Sequence, residues 1–442
     1  MDRSASDPVS APYRTLPPIP SRPRQEPPPG RPAYSVRRLR ERSGARPELA
    51  LLVSTYHKPW HLERVLRSIL RQTVSPGRFE VVVTDDGSTD STETVVARFA
   101  EAARFPVMLT THRREGFELS RSRNEGALAS TADYLLFLDG DCVIPRDHLR
   151  MHLKRRREGV VVTGYSARLD RESSDRIDLD AIDTGDYEKQ VTAAHLRDLA
   201  RRHRKARFYN LIGHPEKPVL AGNNIGIWRS DFARLNGFDE NFNGWGGEDT
   251  DLGYRCRRQG LRVESISDAT HTCHLWHPRD PTAPNDKRTN SNFRYIQRGF
   301  RFTRCFNGLV KRRPTDASVV VAGEPGDREG SIRYLTACGL TVANGHGDSV
   351  PERPGPQRRS GPEVEFLFLP GRGRFSGRAE CNVLVASEPV RIPRSLANAA
   401  HFVLAPPGCR VPKTSATFLP EELACVIRSW AGTETAAPAK AA

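Results

Sequence analysis

At 442 residues the chain is too long for a single hydrophobic core, which implies two or three domains, and its 37% hydrophobic content suffices to fold them. It lacks both a run of about 18 apolar residues, as a bilayer span requires, and an apolar N-terminal region that would read as a signal peptide. The eight cysteines include no Cys-x-x-Cys pair, which argues against a zinc site or disulfide framework, and the formal charge of +15 favours phosphate-rich partners without specifying one.

Residues 1–46, rich in Pro, Arg and Ser and without hydrophobic periodicity, are expected to be a disordered arm. An apolar run predicts a buried strand over 49–53, then the loop Ser54-Thr55-Tyr56-His57-Lys58-Pro59, then a helix over 61–72 with Leu62, Val65, Leu66, Ile69 and Leu70 at helical spacing. A strand over 79–84 runs into Asp85-Asp86-Gly87-Ser88-Thr89-Asp90, followed by a helix to 103. Strands over 107–110 and 134–138 enclose a helix over 120–130. This alternation predicts a parallel α/β sheet with right-handed crossovers, whose ligands bind beyond the carboxyl ends of the strands.

Acids gather at that edge. The strand over 134–138 ends in Asp139-Gly140-Asp141, and residues two apart can aim both carboxylates at one place. Neighbouring anions repel, and a hard divalent cation, Mn2+ or Mg2+, is the usual remedy. Ser54-Thr55 and Asp85-Asp86 reach the same edge from two further strands. Arg121 and Arg123 open the helix over 120–130, where backbone N–H groups and the helix dipole favour an anion such as a diphosphate. The chain has neither a Walker motif nor a G-x-G-x-x-G after its first strand, which disfavours a P-loop NTPase and a nucleotide-dependent dehydrogenase.

The order of strand, Asp-Asp-Gly-Ser, Arg-Asn-x-Gly and Leu-Asp-Gly-Asp resembles the nucleotide-sugar domain of the inverting glycosyltransferases of family 2, which have the GT-A fold. The resemblance implies that Asp86 or its neighbour Asp85 reads the uracil of a UDP-sugar donor and that Thr55 lines base and ribose. Arg123 would face the diphosphate, and Asp139 and Asp141 would serve ribose and metal. The first loop departs from the family in having His57-Lys58 where a Tyr-Asn pair is common.

A strand is expected over 161–168 and a charged, helical or mobile stretch over 170–207. Beyond it, Gly222-Asn223-Asn224 and Gly244-Trp245-Gly246-Gly247-Glu248-Asp249 are similar to the acceptor-side segment of the β-1,4-galactosyltransferases and the chondroitin-polymerase type enzymes. Inverting transfer needs a base to take the acceptor proton on the face opposite the leaving UDP. The resemblance points to Asp249 as that base and to Glu248 as the hydrogen-bond partner of the acceptor. Trp245 gives the sugar ring an apolar platform, and Gly246 and Gly247 let the backbone approach it. Asp251 is read as charging the first turn of a helix over 249–259. Related folds complete the metal shell with a histidine, and among His271, His274 and His277 the position after Trp245 favours His274 beside Asp141, with His271 next and His277 third.

The resemblance covers residues 48–280. The expected layout is the arm, a GT-A domain over 47–304, a linker over 305–317, a small α/β domain over 318–432 of no recognised family, and a disordered tail over 433–442. The expected activity is metal-dependent inverting transfer of a hexose or N-acetylhexosamine from a UDP-sugar to a hydroxyl of a glycan, a lipid-linked intermediate or a small metabolite. Competing readings are a non-catalytic scaffold of the same fold, a retaining transferase, and a binder of nucleic acid or anionic membrane. The expected location is the cytoplasm, with peripheral membrane contact through basic runs such as 201–205 and without nucleic acid as a partner.

Overall fold

The structure is a computed structural model. It describes residues 34–41, 46–242, 244–280, 283, 292, 296, 303–305, 307–310, 318–322, 328–337, 363–375, 381–400, 402–411 and 417–418. Residues 338–362 and 419–432 of the expected small α/β domain, the expected tail and most of the expected arm lie outside these residues.

The chain first forms β1 (Ser35–Arg40), β2 (Leu49–Thr55), α1 (Pro59–Leu70), β3 (Phe79–Asp85), α2 (Thr92–Ala102), β4 (Val107–Thr111), α3 (Leu119–Ala129) and β5 (Tyr134–Asp139). Pro59 opens α1, where its fixed φ suits the first helical position, and Leu62, Val65, Leu66 and Ile69 turn inward. Every residue of β2 and β3 is buried. Successive side chains of β2 enter opposite cores: Leu49, Leu51 and Val53 pack with α1 and α2, while Ala50 and Leu52 pack on the other face. Each buried Leu or Val there contributes about 1.5–3 kcal/mol relative to exposure.

Next come β6 (Cys142–Val143), α4 (His148–Arg155), β7 (Val160–Thr163), β8 (Ser166–Arg168), α5 (Arg171–Asp175), α6 (Leu179–Thr184), α7 (Ala193–Leu211), β9 (Asn224–Trp228), α8 (Arg229–Arg234), α9 (Glu248–Arg258), β10 (Arg262–Ser265) and β11 (Thr272–His274). Eight strands make one sheet in the order β1-β4-β3-β2-β5-β9-β7-β10. β2 to β5 form the expected parallel set. The whole sheet is mixed, because β1 joins β4 antiparallel and β9 runs antiparallel to both β5 and β7. A second sheet, β6-β11-β8, sets His274 opposite Cys142 and therefore beside the Asp139-Gly140-Asp141 turn.

Two sequence expectations are corrected. β1 lies inside the stretch read as a disordered arm: its side chains are mostly exposed, so it has no apolar pattern, and backbone pairing to the edge of β4 orders it. The single strand expected over 161–168 is two strands in different sheets. Between them Gly164 packs so closely on Asn224 that a side chain would collide with its amide.

The C-terminal part forms β12 (Ser318–Ala322), α10 (Arg328–Ala337), β13 (Glu363–Leu369), β14 (Cys381–Ala386), α11 (Arg394–Ala399), β15 (Phe402–Leu404) and β16 (Thr417–Phe418). Its five strands are parallel and pair in chain order. The sequence reads as a turn-rich loop over 323–330 and a helix over 331–337; the helix, α10, starts three residues earlier, at Arg328.

Candidate active site

The turn after β5 is fixed from β2. Gly140 N–H donates to Ser54 O at 2.7 Å, and a Cβ at this position would stand 2.8 Å from the same oxygen, so only glycine lets the two strand ends close on each other. Thr55 lies in register with Asp85 and beside Gly140, and its buried hydroxyl has no hydrogen-bond partner among the described residues. Such an unpaired buried hydroxyl costs free energy unless a ligand or water satisfies it.

Asp85 and Asp86, alternatives in the sequence, have different surroundings. Asp85 is taken up by its own turn, accepting from Ser88 N at 2.9 Å, Ser88 Oγ at 2.5 Å and Thr111 Oγ1 at 3.0 Å. Asp86 accepts from His112 Nε2 at 3.0 Å, Arg114 Nη1 at 2.9 Å and Glu118 N at 3.1 Å. The other nitrogen of His112 meets Glu125 at 2.8 Å. Burial alone would lower the His112 pKa, but the hydrogen bonds to Asp86 and Glu125 outweigh it and raise the imidazole to about 9. Asp86, His112 and Glu118 are close enough together to hold a metal ion, and the same contacts with Asp86 and Glu125 favour the protonated imidazole. The Arg114 guanidinium also lies over the Tyr56 ring, 3.3 Å from its centre.

Asp141 is buried among bases. Lys58 Nζ lies 2.8 Å and His277 Nε2 3.2 Å from its Oδ2, and His274 Nε2 lies 3.6 Å from Oδ1. Burial works to raise this carboxylate, but the His277 hydrogen bond and the charges of His274 and Lys58 hold it well below the usual range. The ranking of the imidazoles changes: His277, placed third from the sequence, joins His274 at Asp141, whereas His271 neighbours His148. β11 ends at His274; the chain beyond it returns His277 to Asp141, while His271, before the strand, lies by His148. Asp141, Cys142 and His274 bring ligand atoms close enough together to hold a metal ion, and His277 meets the same carboxylate.

Arg123 has its guanidinium turned inward. It is 1% exposed and donates to Asp139 Oδ1 at 2.8 Å, to Glu248 Oε1 at 3.1 Å and to Gly222 O at 2.9 Å. α9 starts at Gly247, whose φ of +105° and close approach to Phe242 and Ile296 leave no room for a side chain. This start directs Glu248 to Arg123 and Asp249 to Gly222, whose N–H donates to Asp249 Oδ2 at 3.1 Å. Burial is the main cause raising both carboxyls; the neighbouring Asp249 adds to it for Glu248, which reaches about 7. Asp251 instead pairs with buried Arg255 at 2.8 Å within α9. Trp245 is 39% exposed, and the Gly246 carbonyl accepts from Asn292 Nδ2 at 2.9 Å.

Four positions to which the sequence reading gave no role in the site enter this geometry. His112 and Glu125 support Asp86, Lys58 meets Asp141, and the Gly222 peptide joins Asp249 to Arg123. Lys58 carried a sequence signal as a departure from the family pattern and Gly222 as part of the acceptor-side motif, whereas His112 carried none.

The mixed sheet, the acidic edge and the acceptor-side helix start define a GT-A type glycosyltransferase domain. Residues 51–232 match the glycosyl transferase family 2 model, and residues 202–278 match that of the N-terminal domain of galactosyltransferase. Validoxylamine A glucosyltransferase of Streptomyces hygroscopicus subsp. limoneus is 31% identical over 234 residues, covering 49% of this chain and 49% of that protein. Hyaluronan synthase of Pasteurella multocida is 25% identical over 250 residues, 52% of this chain and 25% of that protein. The chain thus spans half or less of the length of these relatives. S. aureus TarS in complex with UDP-GlcNAc aligns at 15% identity and a TM-score of 0.39 over 57% of this chain and 64% of that one, too low a similarity to carry any residue across. Among the described residues no helix is long and apolar enough to cross a membrane.

Proposed function

We propose that the protein transfers a hexose or N-acetylhexosamine from a UDP-sugar, with inversion, to a hydroxyl of a glycan, a lipid-linked intermediate or a small metabolite. The observation that carries this reading is the Arg123 bridge, because one buried guanidinium ties Asp139, on the donor edge, to Glu248, on the acceptor side. A donor and an acceptor held by those two groups would meet within a few ångströms, as transfer requires.

In this reading Asp86, held by His112 and Arg114, recognises the base, Thr55 Oγ1 lines base and ribose, and Asp139 accepts from a ribose hydroxyl. A divalent cation held by Asp141, His274 and His277 would neutralise charge developing on the departing UDP. Glu248 and the face of Trp245 orient the acceptor. Asp249 takes the acceptor hydroxyl proton as the oxygen bonds to the anomeric carbon and the bond from that carbon to the UDP oxygen breaks, giving glycoside, UDP and a protonated Asp249. The raised pKa of Asp249 suits a base that must accept a proton near neutral pH.

The test is the melting temperature of the purified chain with UDP, GDP, dTDP or ADP, each with Mn2+ or EDTA. A rise with UDP that needs Mn2+ and is lost in Asp141→Ala supports the donor site. Asp249→Asn should then keep the rise while losing on the order of a hundredfold or more of transfer. No metal-dependent rise with any nucleotide would overturn the reading in favour of a scaffold, and a product that keeps the donor's anomeric configuration would overturn inversion.

A further inference from the structure

The outer face of α7 carries a feature that sugar transfer does not use. Leu199 and Ala206 are buried and seat the helix, and Asn210 Nδ2 donates to Val263 O at 2.9 Å to pin its end. On the opposite face stand Arg197, Arg204, Lys205, Phe208, Leu211 and, at the C-cap, Ile212. At about 100° per residue these six fall within an arc of about 120°. The stripe changes character along its length, from cations to bare hydrocarbon: Phe208 is 55%, Leu211 84% and Ile212 53% exposed. Nearby Asp198 pairs with Arg201 and Arg202, and among the described residues no ion pair engages Arg197, Arg204 or Lys205.

Three large apolar side chains held in water at the end of a basic helix oppose the hydrophobic effect unless another surface takes them. The combination selects among surfaces. A nucleic-acid backbone would satisfy the cations but offers no apolar medium for Leu211 and Ile212. An anionic bilayer surface offers both, with lipid headgroups for the guanidinium and ammonium groups and the acyl boundary for the hydrocarbon. We infer that the outer face of α7 docks the protein on an anionic lipid surface. The inference stands on α7 alone and is independent of the transfer reaction.

Vesicle co-sedimentation of the full chain tests it, using phosphatidylcholine vesicles with and without phosphatidylserine. The wild type should pellet only with the anionic vesicles, and less at high salt. Phe208→Ser/Leu211→Ser/Ile212→Ser and, separately, Arg204→Glu/Lys205→Glu should each weaken that binding on the order of tenfold or more while keeping the wild-type melting temperature. Absence of the wild type from the anionic pellet, or binding that neither set of substitutions changes, overturns the inference. A wild-type dimer in vesicle-free solution that the triple substitution dissociates would also overturn it, by giving this face to a second copy of the chain.

Discussion

Arg123 donates to Glu248 across 3.1 Å from a position 125 residues earlier in the chain, with both side chains buried. The same guanidinium holds Asp139, so its loss would leave two carboxylates without their shared cation. Removing one partner from a buried ion pair costs about 3–5 kcal/mol. Arg123→Met should therefore lower unfolding stability in urea by about that amount and abolish transfer. Arg123→Lys should fall between the two, since a point-like ammonium cannot span two acceptors as a planar fork does. A Met variant within about 1 kcal/mol of wild type would show that the bridge carries no net stability.

The Glu248–Asp249 pair predicts the pH profile. Burial pushes both carboxyls up, Glu248 to about 7, and a base must be deprotonated to act. Lowering the pH therefore removes activity well above the ordinary carboxylate range. The acid limb of kcat/KM, set by Asp249, should lie above the ordinary carboxylate range and remain raised in Glu248→Gln, because burial is the main cause of its shift. A limb at about pH 4 to 5, the range of ordinary carboxylates, would contradict the burial argument.

His112 predicts a stability change on the alkaline side. Its folded pKa, about 9, lies above the ordinary 6.5, so its contribution is fully present below pH 6.5 and is lost as pH rises through 9. The size of that shift corresponds to on the order of 3 kcal/mol. Urea titrations of wild type and His112→Gln should differ by about that much at pH 6 and converge above about pH 9. A difference independent of pH would reduce His112 to a packing residue.

The parts of this architecture that are local were legible in the sequence. The apolar run from Leu135 to Leu138 marks a strand buried on both faces, and Asp139-Gly140-Asp141 marks its acidic end because Asp and Gly favour turns over strand interiors. What the sequence left hidden depends on tertiary approach. Nothing near Arg123 shows that its partners are Asp139 and Glu248 rather than open solvent, and nothing near His112 points to Asp86. His271 and His277 are equally spaced from His274, so only the pairing of β11 with β6 and the chain's path after it distinguish them. β1 escaped notice because its edge pairing uses backbone groups that carry no side-chain pattern.

Lys58 predicts how a cation would enter. Its ammonium lies 2.8 Å from Asp141 Oδ2, one of the oxygens a divalent ion would take in the proposed site. The preceding residue, His57, has a φ of +46°, an uncommon conformation for a non-glycine residue. Ser88 Oγ accepts from His57 N at 3.0 Å and His57 Nε2 accepts from Thr89 N at 2.9 Å, so the loop after β3 holds that turn and with it Lys58. A cation binding to the free protein must displace this resident charge, which lowers its affinity. Lys58→Met should therefore bind Mn2+ on the order of tenfold more tightly than wild type in the absence of nucleotide, as removal of one competing charge at a partly exposed position implies. Lys58→Arg should stay close to wild type. Titration of free Mn2+ by electron paramagnetic resonance reads the difference without any turnover. Unchanged affinity in Lys58→Met, with binding still abolished by Asp141→Asn, would leave the metal site standing and remove Lys58 as its competitor; Mn2+ bound by no variant, with or without UDP, would remove the metal site as well.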